Sequence, residues 1–280
     1  MQRFADINRV ETDAASELRK LEISAEDIEM DEEPFARGGF GQVHRARRGT
    51  TNVAVKIIKV GDEKESEDIM KEVKLTVRLC HPNVINLFGV TTLKKTKLGI
   101  VMELTERGSL DQWIGKIHSS RLKQIALGIV DGLEYVHSQK VIHRDIKPKN
   151  ILMFGAGSDM IPKIADFGVS KLIQTAAMTH TRVGQDLYMA PEVKMFNHYS
   201  FPADIYSLAM TLFEMFNEQL ILQSSDELKE FVLGIPCGNF GHIPASCRAP
   251  KYLHAVIKRG WDQNPKKRPA LSEYHSSITG

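Results

Sequence analysis

Apolar positions follow helical steps at the start of the chain. Phe4, Ile7, Val10, Ala14, Leu18 and Leu21 recur at three- and four-residue intervals, the spacing that gathers side chains on one helical face. An amphipathic helix is therefore predicted over roughly residues 4–22, with a stripe that suits either packing on the body of the protein or a dimerisation or regulatory role. From Glu29 to Ile58 the pattern changes to short runs broken by glycine, with Val43, Val53 and Val55 in β-branched clusters, which predicts antiparallel strands. A charged helix follows through Asp68–Leu75, and the apolar runs Val84–Val90 and Leu98–Leu104 read as further strands. Beyond Gly108 helical steps dominate, most clearly over Arg121–His137 and Ala203–Phe216. The class expected is α+β, with a β-rich first part and a mainly helical remainder.

Composition narrows the function classes more than the fold. With 280 residues the chain is long enough for two lobes sharing a cleft. A balance of 37 basic against 35 acidic residues, net +2, argues against a large basic surface for nucleic acid or anionic lipid. Cys80, Cys237 and Cys247 are odd in number and lack ligand spacing, so neither a disulfide framework nor a structural zinc site is expected. No apolar run reaches the length of a spanning helix, and the N-terminus has no signal-peptide core, so the cytosol is the expected setting. No internal repeat or low-complexity tract is found.

Candidate chemistry sits in five segments. Ala36–Val43 is rich in glycine between two predicted strands, an arrangement that serves either as a plain hairpin or as a backbone cradle for polyphosphate. Lys56 ends the apolar run Val53-Ala54-Val55, where a buried ammonium demands an anionic partner. Glu72 on the following helix is the natural carboxylate. The stretch Val141-Ile142-His143-Arg144-Asp145-Ile146-Lys147-Pro148-Lys149-Asn150-Ile151-Leu152 brackets a polar cluster with apolar residues, which packing alone leaves unexplained. Asp145 suits acceptance of a hydrogen bond from an attacking hydroxyl, Lys147 suits neutralisation of a transferring phosphoryl group, and the Asn150 amide oxygen suits a hard cation. Asp166, in Ile164-Ala165-Asp166-Phe167-Gly168, supplies a carboxylate suited to magnesium.

The order, spacing and identity of these segments, completed by Ala190-Pro191-Glu192, resemble the eukaryotic protein kinase family over about Ile28 to Pro269. The resemblance implies a bilobal protein kinase fold, with a small antiparallel β-rich N-lobe over 28–104 and a larger, mainly helical C-lobe over 105–280. Residues 1–27 form an N-terminal helical extension in this reading. ATP and Mg2+ are the implied cofactors, and protein substrates the implied partners. A regulatory partner or a homodimer would engage the N-terminal helix. By similarity, Gly38 and Gly41 cover the phosphates, Lys56 contacts the α- and β-phosphates, and Glu72 holds that lysine. Asp145 is the implied catalytic base, Lys147 steadies the γ-phosphate, and Asn150 and Asp166 are the implied magnesium ligands. Met102 takes the gatekeeper place, Glu103 and Thr105 meet the adenine edge, and Val43, Ala54 and Leu152 sandwich its ring. Asp204 resembles an aspartate that braces the catalytic loop, and Glu192 is implied to pair with Arg268. Lys147 argues for Ser/Thr substrates, and the lead-in Ile23–Ile28 with Phe88-Gly89-Val90 resembles the tyrosine-kinase-like group.

Three positions depart from that pattern. Ala36 stands where the family has its first loop glycine, and Gln185 replaces a threonine beside the catalytic base. Thr76 introduces a hydroxyl into a stack otherwise made with Leu87, His143 and Phe167, which predicts an inactive arrangement with Glu72 swung away from Lys56. Ser170, Thr175, Thr179 and Thr181 lie in a long polar loop where added phosphate would pair with Arg144, Thr179 and Thr181 being favoured. A catalytically competent kinase is the expected function, and a nucleotide-binding pseudokinase scaffold is the alternative. The few residues after Pro269 give the expectation of a domain excised from a longer protein.

Overall fold

The described residues open on an antiparallel sheet, whose longer strands take in the β-branched runs of the sequence. The computed structural model describes residues 21–38, 41–61, 63–94, 96–155, 159–167, 185–218 and 247–280, with isolated positions between 220 and 243. These divide into two units: residues 21–80 with 86–105, and residues 81–85, 106–167 and 185–280 so far as described.

In the first unit the strands are β1 (Glu29–Met30), β2 (Ala36–Gly38), β3 (Gly41–Arg48), β4 (Thr51–Lys59), β5 (Leu87–Lys94) and β6 (Lys97–Glu103). Their order is β1-β3-β4-β6-β5, with β2 also pairing β3, and every pairing is antiparallel. A two-residue turn joins β3 to β4, where Arg48 opposes Thr51 and Gly49 takes φ +58°, the left-handed geometry that glycine adopts without steric cost. On one face Ile23, Ala46, Val53, Val55 and Val101 form a buried cluster, with Ile28, Met30, Ile57 and Phe88 packed against it. Helix α1 (Glu63–Val77) follows β4 and packs on β5, burying Ile69 and Val73 completely.

The predicted N-terminal helix does not reach residue 22. Glu22 pairs with Val90 of β5 in a parallel bridge, and Ile23 enters the buried cluster at 5% exposure. Pairing of the open β5 edge and burial of Ile23 outweigh helical periodicity there, and the rest of the predicted helix lies outside the described residues. The strand predicted from Val84 begins at Leu87 instead. Val84 makes an isolated bridge to Ile164, and it belongs to the second unit.

In the second unit, α2 (Ser119–Ser138) buries Leu122, Ile125, Ala126, Ile129, Val130, Leu133 and Val136, the stripe its helical spacing predicts. Gly128 and Gly132 let the segment around Asn83 approach it, since a Cβ on either would lie 2.6–2.7 Å from Asn83 atoms. The hairpin β7 (Ile151–Phe154) and β8 (Ile161–Ile164) packs nearby. Helix α3 (Pro191–Phe196) ends on Asn197 in the left-handed conformation. Helix α4 (Phe201–Phe216) is buried throughout Ala203–Phe216, as befits the centre of a helical unit. Helices α5 (Lys251–Gly260) and α6 (Leu271–Thr279) pack on α4 and α2 respectively, and on each other.

Candidate active site

The residues between α2 and β7 make a loop whose shape is dictated by one buried carboxylate. Asp204, 1% exposed in the first turn of α4, accepts the backbone N–H of Arg144 on Oδ1 at 2.8 Å. Its Oδ2 accepts the His143 N–H at 2.8 Å and the His137 Nε2–H at 2.9 Å. A desolvated carboxylate is tolerable only with such charge-assisted bonds. They hold Arg144 at φ +71°, a conformation that costs a non-glycine residue about 1–3 kcal/mol. The brace implied for Asp204 is present, with His137 as an additional donor that sequence reasoning missed.

His143 is fully buried, and its ring has a single workable tautomer. Nε2–H donates to the Ala165 carbonyl at 2.9 Å, and Nδ1 accepts the Asp145 N–H at 3.2 Å. Burial pulls its pKa below the ordinary value, outweighing the nearby Asp204, Asp145 and Asp166 carboxylates that act to raise it. The ring also packs on Phe167, with centroids 4.8 Å apart.

The loop brings two of the sequence-predicted residues, Lys147 and Asn150, onto the carboxylate of a third, Asp145. Asp145 Oδ2 lies 2.7 Å from Lys147 Nζ and accepts a hydrogen bond from Asn150 Nδ2 at 2.8 Å. The same amide nitrogen donates to the Asp145 carbonyl at 2.7 Å. Two acceptors on Nδ2 fix the amide orientation and leave Oδ1 as the ligating end. Backbone pairing then carries the second metal candidate to the loop: the Ala165 N–H donates to the Asn150 carbonyl at 2.8 Å, and Asp166 follows at φ +62°. Asn150 and Asp166 offer hard oxygen donors, which fits a small divalent cation. Among the described residues no group of three or more His, Cys, Asp or Glu side chains is arranged to hold a metal ion. Two protein oxygen donors leave most coordination positions of a hard cation to phosphate and water.

The remaining predicted residues fall on the first unit, apart from Leu152 on β7. Lys56 lies on β4 at 7% exposure, paired with Val43 and Ile100, so the residue is as buried as the sequence suggests. Ala54 and Met102 oppose each other across β4 and β6, both buried. Glu103 closes β6: its N–H donates to the Asn86 carbonyl at 3.0 Å, and its Oε1 accepts the Asn86 N–H at 2.7 Å. Thr105 follows two residues on. Gly38 and Gly41 oppose each other in the β2–β3 pair, and a Cβ on Gly41 would fall 2.1 Å from the Ile57 carbonyl oxygen. Close backbone approach by itself thus demands glycine at Gly41. Glu72 lies on α1, but its side chain is outside the described residues. Thr76 is buried at 1% exposure. Ser170, Thr175, Thr179 and Thr181 are outside the described residues.

Residues 31–277 match the family model for the protein kinase domain. The chain belongs to the protein kinase domain family. This kinase domain is similar to the serine/threonine/tyrosine-protein kinase HT1 of Arabidopsis thaliana, 32% identical over 85% of this chain and 62% of that protein. It is similar also to the dual specificity protein kinases shkE and shkA of Dictyostelium discoideum, 31% and 32% identical over 97% and 94% of this chain. The alignments cover 39% of shkE and 50% of shkA, so the chain spans about half the length of these relatives. Family membership carries the use of ATP and a divalent metal ion in general. Among the described residues no helix is long and apolar enough to cross a membrane.

Sequence reasoning found the ion pair that supports the kinase domain's Ala190-Pro191-Glu192 segment. Arg268 donates through Nη1 and Nη2 to the two Glu192 oxygens at 2.6 and 2.8 Å. It missed the anchoring of Tyr188, whose carbonyl accepts from Ser207 Oγ at 2.6 Å and whose hydroxyl bonds the Glu214 carboxylate. Burial and that carboxylate push the Tyr188 pKa far up, so the phenol stays a donor. A usable signal was present: Glu214 is, with Asp204, one of two charged residues in a mainly apolar helical run, and it lies two turns from Ser207.

Proposed function

We propose that the chain is an ATP-dependent protein kinase that transfers the γ-phosphate to Ser/Thr hydroxyls of protein substrates, with Mg2+ as its metal. The observation that carries this reading is the Asp145 carboxylate with Lys147 Nζ and Asn150 Nδ2 on the same oxygen at 2.7 and 2.8 Å. Asp145 accepts the proton of the attacking hydroxyl as the new P–O bond forms and the bond to the β-phosphate oxygen breaks, releasing ADP. Lys147 offsets charge on the transferring group. Asn150 and Asp166 would hold Mg2+, which when bound would supply positive charge to neutralise the phosphates. In the first unit Lys56, held by Glu72, takes the α- and β-phosphates, Gly38 and Gly41 cover them, and Val43, Ala54, Met102, Glu103 and Thr105 receive adenine. Phosphorylation at Thr179 or Thr181, paired with Arg144, switches activity on, and the cytosol is the setting.

The test is transfer of labelled phosphate from Mg·ATP to a generic protein substrate, followed by phosphoamino-acid analysis. The parent should label Ser and Thr, and Asp145→Asn should lower transfer by about 10²–10⁴-fold while ATP binding persists. ATP binding without transfer in the parent would overturn the reading in favour of a nucleotide-binding scaffold. Labelled tyrosine would move the substrate class toward that of the relatives named dual specificity.

A further inference from the structure

The match to the kinase domain begins at residue 31, yet the ten residues before it are built into the first unit's sheet. At one end the Ile23 N–H donates to the Val90 carbonyl at 2.7 Å, and the Val90 N–H donates to the Leu21 carbonyl at 2.9 Å. At the other end Glu29 and Met30 pair with Arg47 and Ala46 of β3, and the Arg47 guanidinium bonds the Glu29 carboxylate at 2.7 and 3.2 Å. Because β1 and β5 are the two ends of the strand order, residues 21–30 join opposite edges of one sheet. At the β5 attachment the Ile23 side chain joins the cluster made by Ala46, Val53, Val55 and Val101, which takes in β3, β4 and β6.

The β5 attachment is specific to a bulge. The register of β5 against β6 shifts between Leu87 and Gly89, and Gly89 takes φ +151°. A Cβ on Gly89 would lie 2.3 Å from the Leu21 carbonyl oxygen and 3.1 Å from Ile23 Cδ1, so the absence of a side chain there makes room for this segment. The bulge adjoins the residues that hold the end of β6. Leu87 opposes Met102, and Asn86 exchanges two hydrogen bonds with Glu103. A bulge re-aims the strand that carries it, so whatever fixes this bulge also fixes the Met102–Glu103 end.

We propose that residues 21–30 are a strap that locks the β5 bulge and sets the Met102–Glu103 end of β6, giving residues upstream of the matched region control over nucleotide binding. The control clause rests on the adenine-binding role proposed for Met102 and Glu103, whereas the strap itself does not. Loosening the strap frees Val90 and lets the bulge relax, and the nucleotide-competent arrangement becomes a smaller fraction of the population.

The test uses the full chain with Ile23→Ala, and Ile23→Val as a milder variant that retains most of the buried side chain. Amide hydrogen exchange is followed at Ile23, Val90 and Glu103, with Val55 as an internal reference, alongside titration with Mg·ATP. Ile23→Ala should speed exchange about tenfold at Ile23, Val90 and Glu103 relative to Val55, and raise the Kd for Mg·ATP by roughly three- to tenfold. If Ile23→Ala does not fold, Ile23→Val should give the same pattern at about two- to threefold. A uniform acceleration that includes Val55 would mean only a lost core contact and would overturn the strap. Faster exchange at Val90 with Glu103 and the Kd unchanged would overturn its control of β6. A parent that binds no ATP would overturn the adenine reading and the control clause together, and the exchange pattern would still decide the strap.

Discussion

Asp204 Oδ1 accepts the Arg144 backbone N–H at 2.8 Å, so a carboxylate sixty residues away in sequence fixes the residue just before the proposed base. Asp204→Ala would leave the His143 and Arg144 amides and the His137 ring nitrogen without their acceptor inside a buried site. Each stranded donor costs about 1–3 kcal/mol. Thermal unfolding should shift well down, and phosphoryl transfer should fall at least tenfold at a temperature where the variant is still folded. An active variant of parental stability would show that the loop holds its shape without this brace.

The Glu192–Arg268 pair predicts a different signature. Arg268 is 8% and Glu192 9% exposed, and the guanidinium also donates to the Pro202 carbonyl at 2.8 Å and the Asp262 carbonyl at 3.0 Å. Arg268→Met strands a buried carboxylate and should cost about 3–5 kcal/mol. The double variant Glu192→Leu with Arg268→Met removes both charges and should recover a substantial part of that loss. Denaturant unfolding of the two single variants and the double variant measures the coupling, and additive losses would contradict it.

These two contacts also show what a sequence exposes and what it hides. Asp204, Glu192 and Arg268 were legible because each stands in a short segment with a family pattern, and a charge among apolar residues implies a partner. Helices α2 and α4 were legible from their helical period, and the longer strands of the first unit from β-branched runs broken by glycine, apart from the start of β5. The bridge of Glu22 to Val90 was not, because the helical stripe of residues 4–21 carries no information about an open strand edge far along the chain. Nor was the double anchoring of Tyr188, which depends on Ser207 and Glu214 of α4 both reaching the segment just before α3.

A stability gain is predicted at Thr91. Its side chain is completely buried on β5, and its hydroxyl has no hydrogen-bond partner, while its methyl group faces Gly99 across the strand pair. Thr91→Val keeps the shape and replaces the unsatisfied hydroxyl with a methyl. Relief of the unmet hydrogen bond should stabilise the chain by about 1 kcal/mol. Denaturant unfolding checks this: the midpoint should rise with an unchanged m-value. A lower midpoint would mean that the hydroxyl is satisfied in solution.

His143 predicts how stability responds to acid. In the folded chain both ring nitrogens are committed to the neutral form, Nε2–H to the Ala165 carbonyl and Nδ1 to the Asp145 N–H, and burial holds the pKa below 6.5 in spite of Asp204, Asp145 and Asp166. Unfolding frees the ring to titrate at its ordinary value, so below that value the unfolded state binds a proton that the folded state refuses. Stability contributed by the neutral ring is therefore complete above about pH 6.5 and is lost as pH falls from there toward the depressed folded value. The slope for this one proton is at most about 1.4 kcal/mol per pH unit. His143→Phe keeps a ring against Phe167 but cannot titrate. It should be less stable than the parent at pH 7.5, through its lost hydrogen bonds, and should narrow that gap as pH is lowered below 6.5. Unfolding free energies measured for both chains across pH 5–7.5 decide the matter, because a gap that widens in acid would require a charged His143 in the folded state.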